Sequence, residues 1–272
     1  MRVFPFTEKV SFACLLACLA VVFAQAQQPA LTLDQLLSRV EANSEEYRST
    51  VPSFFCDEHV TSQEIHDGKL KHETTVDAIF SVTRSTGQTG VLDESREVKA
   101  LDNKPSANKK VNMPLAFNGG FSGALTKFLS ASHHQCFKYQ LDDPSSRRQE
   151  EIGFSFAVRE DASTQPSCAT IKPGTTGRVL VNAATMQVTH VERTVPNPIG
   201  ADHSVFGTAS VDYAAVTLNG RTFWLPITIT AFTTETPKTN GFRFTAHYSN
   251  YHRFGATSTI IPLLAPDAEN KP

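Results

Sequence analysis

The chain has none of the short motifs that mark common enzyme active sites. It contains no Gly-x-Ser-x-Gly elbow, no Ser-x-x-Lys accompanied by its partner motifs, no His-Glu-x-x-His pair and no phosphate-binding glycine loop. The glycine-rich stretch 119–123 lacks the lysine and the glycine spacing of a phosphate loop, and we interpret it as the start of a helix. These absences predict a protein that is not an enzyme and that uses neither a metal nor another cofactor.

The chain also lacks an excess of charge of either sign. It carries 25 basic and 27 acidic residues, and its formal net charge is −2. Its basic pairs are short and scattered, whereas a surface that binds nucleic acid concentrates positive charge. Nucleic acid is therefore not an expected partner.

Long apolar runs are missing except near the N terminus. There, Val10 to Ala24 carries no charge, follows Arg2 and Lys9, and leads into the small-x-small sequence of residues 24–26. This order of features is that of a cleavable secretory signal. We expect residues 1–26 to be removed and the remaining protein to be periplasmic or secreted.

The N-terminal segment has two other interpretations. An uncleaved anchor would need about 20 apolar residues, and the run is shorter than that. A lipoprotein signal is suggested by residues 15–18 (LLAC), in which Cys18 would be acylated. The apolar run continues from Leu19 to Phe23, however, where a tethered lipoprotein usually becomes polar.

Cysteine is scarce, and three of the five cysteines follow the signal: Cys56, Cys136 and Cys168. An oxidising compartment favours the pairing of two of them. We predict a disulfide between Cys136 and Cys168, because each lies beside a predicted strand of the same central segment, whereas Cys56 lies within an apolar strand. Three buried free thiols are the alternative.

Two segments show helical spacing. Thr32 and Gln35 form a capping box at the start of an amphipathic pattern that extends to about Thr50. A second, shorter helix is predicted within 117–130, after the glycines. Between them, residues 85–113 are expected to form short edge strands and a mobile loop.

The rest of the chain alternates between apolar and polar residues, which is typical of β-strands. Turn dipeptides such as Asp67-Gly68 and Asn219-Gly220 separate the alternating segments. The predicted strands are 54–65, 69–84, 151–159, 177–182, 187–195, 204–218, 221–233 and 241–253.

The links between these strands are too short for parallel crossovers, so the pattern predicts an antiparallel meander. The fold class is therefore mainly β with two short helices, in one domain of residues 27–261. Residues 262–272 are expected to form a disordered tail.

The C-terminal half resembles periplasmic proteins of the lipoprotein-carrier (LolA-like) superfamily. The resemblance covers about residues 150–254 and rests on these segments: 177–182 (GRVLVN), 186–192 (MQVTHVE), 211–213 (VDY), 224–226 (WLP) and 248–254 (YSNYHRF). It implies an unclosed antiparallel β-barrel, wrapped around one or two helices, whose apolar concave face shelters acyl chains.

Candidate ligand-binding residues follow from the alternation in two strands. They are Ile152, Phe154, Phe156 and Val158 in the first strand, and Phe223, Leu225 and Ile227 in the second. The two predicted helices cover this apolar face either alone or together with a ligand. A core filled by the helices, without a cavity, is the alternative.

Three polar or proline-containing segments have simpler interpretations than a site. Asp57-Glu58-His59 is interpreted as an exposed polar strand face rather than a zinc site, because no fourth ligand lies at metal spacing. Residues 133–136 (HHQC) are interpreted as a solvated loop end. Pro226 lacks an N–H group, which predicts that its strand lies at an edge or kinks there.

The sequence thus predicts a non-enzymatic, monomeric extracytoplasmic protein that binds a lipid or acyl chain and makes at most peripheral contact with the cell envelope. An envelope scaffold with a filled core is one alternative. A hydrolase whose site is assembled from distant residues, such as His59 or His134, is the other.

Overall fold

A computed structural model describes residues 31–84, 92–106, 111–114, 129–143, 150–196, 206–234 and 240–254. The predicted signal, most of the second helix and the predicted tail lie outside these residues. Everything below concerns the described part of the chain.

The first element is helix α1, Leu33–Thr50. Thr32 accepts a hydrogen bond from the backbone N–H of Gln35, whose side chain in turn accepts one from the backbone N–H of Thr32, so the predicted capping box is present. Four side chains one turn apart are buried against the sheet: Leu36, Val40, Ser44 and Tyr47. The apolar stripe of this helix therefore forms part of the core.

The remaining elements are eleven strands, a helical turn and two 3₁₀ turns. In chain order they are β1 Phe54–His66, β2 Lys69–Arg84, β3 Leu92–Leu101, β4 Lys104–Pro105, α2 Ala131–His134, β5 Phe137–Leu141, β6 Glu151–Val158, 3₁₀ turns Ala162–Thr164 and Pro166–Cys168, β7 Thr176–Asn182, β8 Val188–Pro196, β9 Phe206–Leu218, β10 Arg221–Thr234 and β11 Gly241–Arg253.

Two of the hairpins turn where the sequence predicts. Asp67 and Gly68 both have positive φ, as do Asn219 and Gly220, which is the backbone that a two-residue hairpin needs. The segment predicted as short edge strands and a mobile loop contains β3, ten residues long, which pairs with β2 along most of its length. Its outer neighbour β4 is only two residues long.

All eleven strands form one antiparallel sheet, in the order β4-β3-β2-β1-β11-β10-β9-β8-β7-β6-β5. Sequential neighbours pair as in a meander, with one exception, because β1 pairs with β11 from Phe54 to Ile65. The sheet is curved and unclosed, with β4 and β5 at its two ends. The predicted fold class, mainly β with an unclosed antiparallel sheet on a helix, is confirmed.

Strand β10 is interrupted at Pro226. The pairing with β9 shifts by one residue between Pro226 and Thr228, and the pairing with β11 stops at Thr228 opposite His247. Because β10 lies between two strands, the prediction that it is an edge strand is wrong. The alternative prediction of a kink is confirmed, since the missing N–H group of Pro226 lies where the β10–β11 ladder ends.

Polar side chains attach α1 to the sheet at several places. Asn43 Nδ2 donates to the carbonyl oxygen of Met186 at 2.7 Å, in the turn between β7 and β8. Arg84 Nε, at the end of β2, donates to the carbonyl oxygen of Val51 at 2.7 Å, and its Nη2 donates to that of Arg48 at 3.1 Å. The two Arg84 bonds satisfy carbonyls at the helix C terminus that have no partner within the helix.

The Cys136–Cys168 disulfide predicted from the sequence is present. It connects the end of α2 with the second 3₁₀ turn, and Cys56 is the buried free cysteine of the described residues. The bond therefore holds the irregular segment after β6 against the start of edge strand β5.

We expect removal of this disulfide, by the double substitution Cys136→Ser and Cys168→Ser, to lower the free energy of unfolding by about 3–4 kcal/mol. The bridged residues are 32 positions apart, and the unfolded chain regains the entropy of that loop. Guanidinium unfolding measures the change. Dithiothreitol should lower the guanidinium concentration at the wild-type unfolding midpoint and leave that of the double variant unchanged. A wild-type midpoint that dithiothreitol does not change would contradict the prediction.

Candidate functional site

The candidate residues of β6 lie on the concave, buried side of the sheet. Ile152, Phe154 and Phe156 are buried, Phe154 completely, and Val158 at the strand end is partly buried. The other face of the strand carries small residues such as Ser155, as the alternation predicts. These side chains pack into the core, and their role in binding a ligand remains a prediction.

The candidate residues of β10 are separated from those of β6 by three strands of the sheet. Phe223 and Leu225 are buried, whereas Ile227 lies between the two residues where the register shifts and is only partly buried. The alternation predicted through Ile227 is therefore interrupted, because Leu225 and Pro226 are both buried. The bulge changes which side chains of this strand face the core.

An aromatic cluster occupies the β5–β6 end of the sheet. The ring of Phe137 lies 5.5 Å from that of Phe156, and the ring of Tyr139 lies 6.1 Å from that of Phe154. His134 of α2 makes an edge contact with Tyr139 at 5.6 Å. The apolar side chains of this end therefore contact one another, and Tyr139 is only partly buried.

Two clefts are lined by described residues. The first, of about 340 Å³, lies between α1 and residues 130–133. The second, of about 600 Å³, lies between the β9–β10 hairpin and the end of β11. Both are lined largely by polar or charged residues, so neither is the apolar hollow that an acyl chain would fill.

A buried ion pair lies within the apolar side of β1 and β2. The side chain of Glu58 is fully buried and accepts hydrogen bonds from Arg96 Nε and from Arg96 Nη2, the latter at 2.6 Å. Tyr248 donates its hydroxyl to Glu58 Oε1 at 3.0 Å. The hydrogen bond to Glu58 raises the pKa of Arg96 above its ordinary value. Each member of the pair is hydrogen-bonded to the other, as a buried ion pair requires.

The strand register explains how Arg96 reaches Glu58. Arg96 on β3 is opposite Phe80 on β2, and Glu58 on β1 is opposite Ala78. The guanidinium lies 5.7 Å from the centre of the Phe80 ring and extends across β2. The small side chain of Ala78 leaves room for this crossing.

The Asp57-Glu58-His59 prediction is correct for its outer residues and wrong for Glu58. Asp57 and His59 are exposed on the outer face, where Asn250 Nδ2 donates to Asp57 at 2.6 Å. His59 Nδ1 lies 2.6 Å from Asp77 Oδ1. Glu58 faces the core with Cys56 and Val60, because side chains of a strand alternate.

The apolar alternation of β1 is the signal that could have located Glu58. Residues 54, 56, 58 and 60 share a face, and the other three are apolar. Arg96 and Tyr248 carry no such signal, because their contact with Glu58 depends on the order of the strands. The segment 133–136 lies partly in α2, with His133 and His134 at the protein surface and Cys136 in the disulfide.

Two negative findings apply to the described residues. No three His, Cys, Asp or Glu side chains there are grouped so that they could hold a metal ion. No helix among them has the length and hydrophobicity needed to cross a membrane.

Comparisons with known proteins find distant structural similarity and no sequence relative. No protein family matches the chain, and no curated protein matches it. The crystal structure of a LolA superfamily protein from Nitrosomonas europaea is 12% identical over 81% of this chain and 94% of that chain, with a TM-score of 0.36. A tesB protein from Mycobacterium avium subsp. paratuberculosis is 7% identical over 79% of this chain and 85% of that chain, with a TM-score of 0.15. These similarities concern general arrangement and assign no family or activity.

We expect Glu58→Ala to lower the free energy of unfolding by about 3–5 kcal/mol, because it leaves the partly buried Arg96 and the Tyr248 hydroxyl without their acceptor. The double substitution Glu58→Leu and Arg96→Met removes both charges and should recover most of this loss. Urea unfolding measures both variants. Glu64→Ala, which removes a surface ion pair with Lys71, is the control and should cost less than about 1 kcal/mol. A loss for Glu58→Ala as small as that of the control would contradict the prediction.

We expect Cys56 to be unreactive toward thiol reagents in the folded protein. Burial raises the pKa of Cys56 to about 12, so the reactive thiolate is nearly absent at pH 8. Titration with Ellman's reagent should detect this thiol only after unfolding in guanidinium. Rapid labelling of the native protein would show that Cys56 is accessible.

Proposed function

We propose that this chain is a non-enzymatic extracytoplasmic protein that binds a lipid or acyl chain on the concave face of its sheet. The observation that supports the proposal is a continuous apolar face on a curved sheet whose two ends, β4 and β5, do not pair with each other. A curved sheet of this kind buries its apolar face only if something lies across it. Among the described residues, α1 is the element long enough to do so.

The apolar face is incompletely buried at the β5–β6 end. Tyr139, Leu141 and Val158 are partly buried there, and so are Leu33 and Leu37 near the start of α1. An acyl chain lying against these side chains would remove further apolar surface from water, at about 25 cal/mol per Å². This end of the face is where we place the ligand, alongside Ile152, Phe154 and Phe156.

The cellular location is part of the proposal. We propose that residues 1–26 are removed on export and that residues 27–261 form one domain, followed by a disordered tail. The disulfide supports an oxidising compartment, because such bonds are rare where thiols are kept reduced. We further propose that the protein is a monomer and makes at most peripheral contact with an envelope surface.

A second candidate function is that of an envelope scaffold with a filled core. It is supported by the complete burial of Leu36 and Val40 on α1 and of Phe154 on β6. Side chains that already pack against the helix have no need of a ligand. The two candidates differ in whether the purified protein takes up an amphiphile.

We expect the delipidated protein to bind one acyl chain, detected as a mass adduct by native mass spectrometry and as displacement of a fluorescent fatty acid. Val158→Gln should weaken binding about tenfold, because a polar group replaces a side chain worth roughly 1.5 kcal/mol of apolar contact. Ser155→Gln changes the opposite face of the same strand and should leave the affinity unchanged. No adduct and no displacement would instead support the scaffold.

A further inference from the structure

The sheet separates between β10 and β11 beyond Thr228. From there, β10 is paired with β9 up to the Asn219-Gly220 turn, and β11 is paired with β1. The cleft of about 600 Å³ lies at this separation. Its lining residues are Thr217, Leu218, Asn219, Tyr251, His252, Arg253 and Phe254.

Tyr251 connects the cleft with the interior. Its side chain lines the cleft, and its hydroxyl donates to the carbonyl oxygen of Pro226. Pro226 is the register partner of Tyr213 on β9. Tyr213 is therefore next to the strand position that Tyr251 contacts from the cleft side.

Two tyrosine hydroxyls behind this position are buried and have no partner. Tyr47 of α1 and Tyr213 are 7% and 5% exposed, and neither hydroxyl makes a hydrogen bond in the structure of the described residues. Burial raises the pKa of both, and the nearby Tyr47 raises that of Tyr213 further. Tyr47 also contributes to the raised pKa of Tyr251.

A buried hydroxyl without a partner is rare in proteins, because it gives up its hydrogen bonds to water and gains none. Two such groups in one core indicate that something else completes their bonding. Both can donate, and an acceptor with two lone pairs, such as a carbonyl oxygen, would satisfy both.

The charge around the tyrosines favours a neutral acceptor. A carboxylate at this depth would need a free cation. Two charged groups act on Tyr47: the carboxylate of Glu94, which raises its pKa, and the guanidinium of Arg84, which lowers it. Arg84 already donates to the carbonyl oxygens of Val51 and Arg48. An ester carbonyl needs no counter-charge.

We propose that the Tyr47 and Tyr213 hydroxyls bind the carbonyl oxygen of an acyl ester, with its alcohol portion toward the β10–β11 cleft and its acyl chain on the concave face. This proposal rests on the function proposed above and adds to it the chemical class of the ligand. The acyl chain is held by apolar contact, and the two hydroxyls set its direction.

The test compares monolaurin with dodecylglycerol, which has the same head group and chain length but an ether in place of the ester. Isothermal titration calorimetry of the delipidated, full-length mature protein should give an affinity about tenfold higher for the ester, as expected for the loss of one or two buried hydrogen bonds. This comparison needs no substitution, so it cannot be confused with a folding defect.

Tyr47→Phe and Tyr213→Phe then test the assignment to these two hydroxyls. Each should lower the affinity for monolaurin about fivefold and leave that for dodecylglycerol unchanged. Each should also raise the melting temperature of the ligand-free protein, because an unpartnered hydroxyl is removed. Tyr248→Phe, which removes a buried tyrosine hydroxyl that already has a partner in Glu58, is the matched control and should leave the preference for the ester unchanged.

The outcomes separate the two proposals. If neither monolaurin nor dodecylglycerol binds and no fatty acid is displaced, the proposed function itself fails. If both lipids bind equally and the two tyrosine variants leave the affinities unchanged, the protein binds apolar chains, and the two hydroxyls hold a buried water instead. An ester preference lost only in Tyr248→Phe would place the carbonyl beside Glu58 instead of beside Tyr47 and Tyr213.

Discussion

The pairing of the first strand with the last is the interaction on which the rest of the fold depends. Without the β1–β11 ladder, the chain would form two separate meanders, β1 to β4 and β5 to β11. With it, the first and last strands lie in the interior of the sheet, and β4 and β5 lie at its edges. This pairing joins the two strands that are farthest apart in the described sequence. The entropy lost on closing so long a loop is offset by contacts across the whole concave face. The helix that precedes β1 is thereby placed over that face.

Local features of the fold are predictable from the sequence because their causes are local. Helix α1 begins at a capping box, and the hairpins at Asp67-Gly68 and Asn219-Gly220 turn at residues that tolerate positive φ. Most strand boundaries follow from a period of two. The strand order does not follow in the same way, because no local sequence pattern indicates that β1 pairs with β11. The length of β3 was also not predictable, because its burial alternates weakly and its order depends on pairing with β2.

The candidate site likewise combines residues whose burial is predictable from local sequence with residues that only tertiary structure brings together. The alternation of β6 predicts that Phe154 and Phe156 are buried, and the structure places them in the core. Glu58 was predictable in principle, because it interrupts an apolar face, but the exposed polar residues on either side of it favoured the opposite interpretation. Arg96 and Tyr248 reach Glu58 from strands on either side of β1, so their role depends on tertiary structure alone. The bulge at Pro226 changes the pattern of β10 by inserting one residue, which periodicity cannot anticipate.

The buried polar groups of the concave face differ in whether they have hydrogen-bond partners. The Glu58 carboxylate is matched by Arg96 and Tyr248, so it stabilises one arrangement of the strands and has no need of a ligand. The Tyr47 and Tyr213 hydroxyls are equally buried but unmatched. A purely apolar face holds an acyl chain without fixing its direction, because dispersion and hydrophobic contact are non-directional. Hydrogen bonds are directional, so an unmatched pair at one point of the face can orient an amphiphile that the rest of the face only shelters.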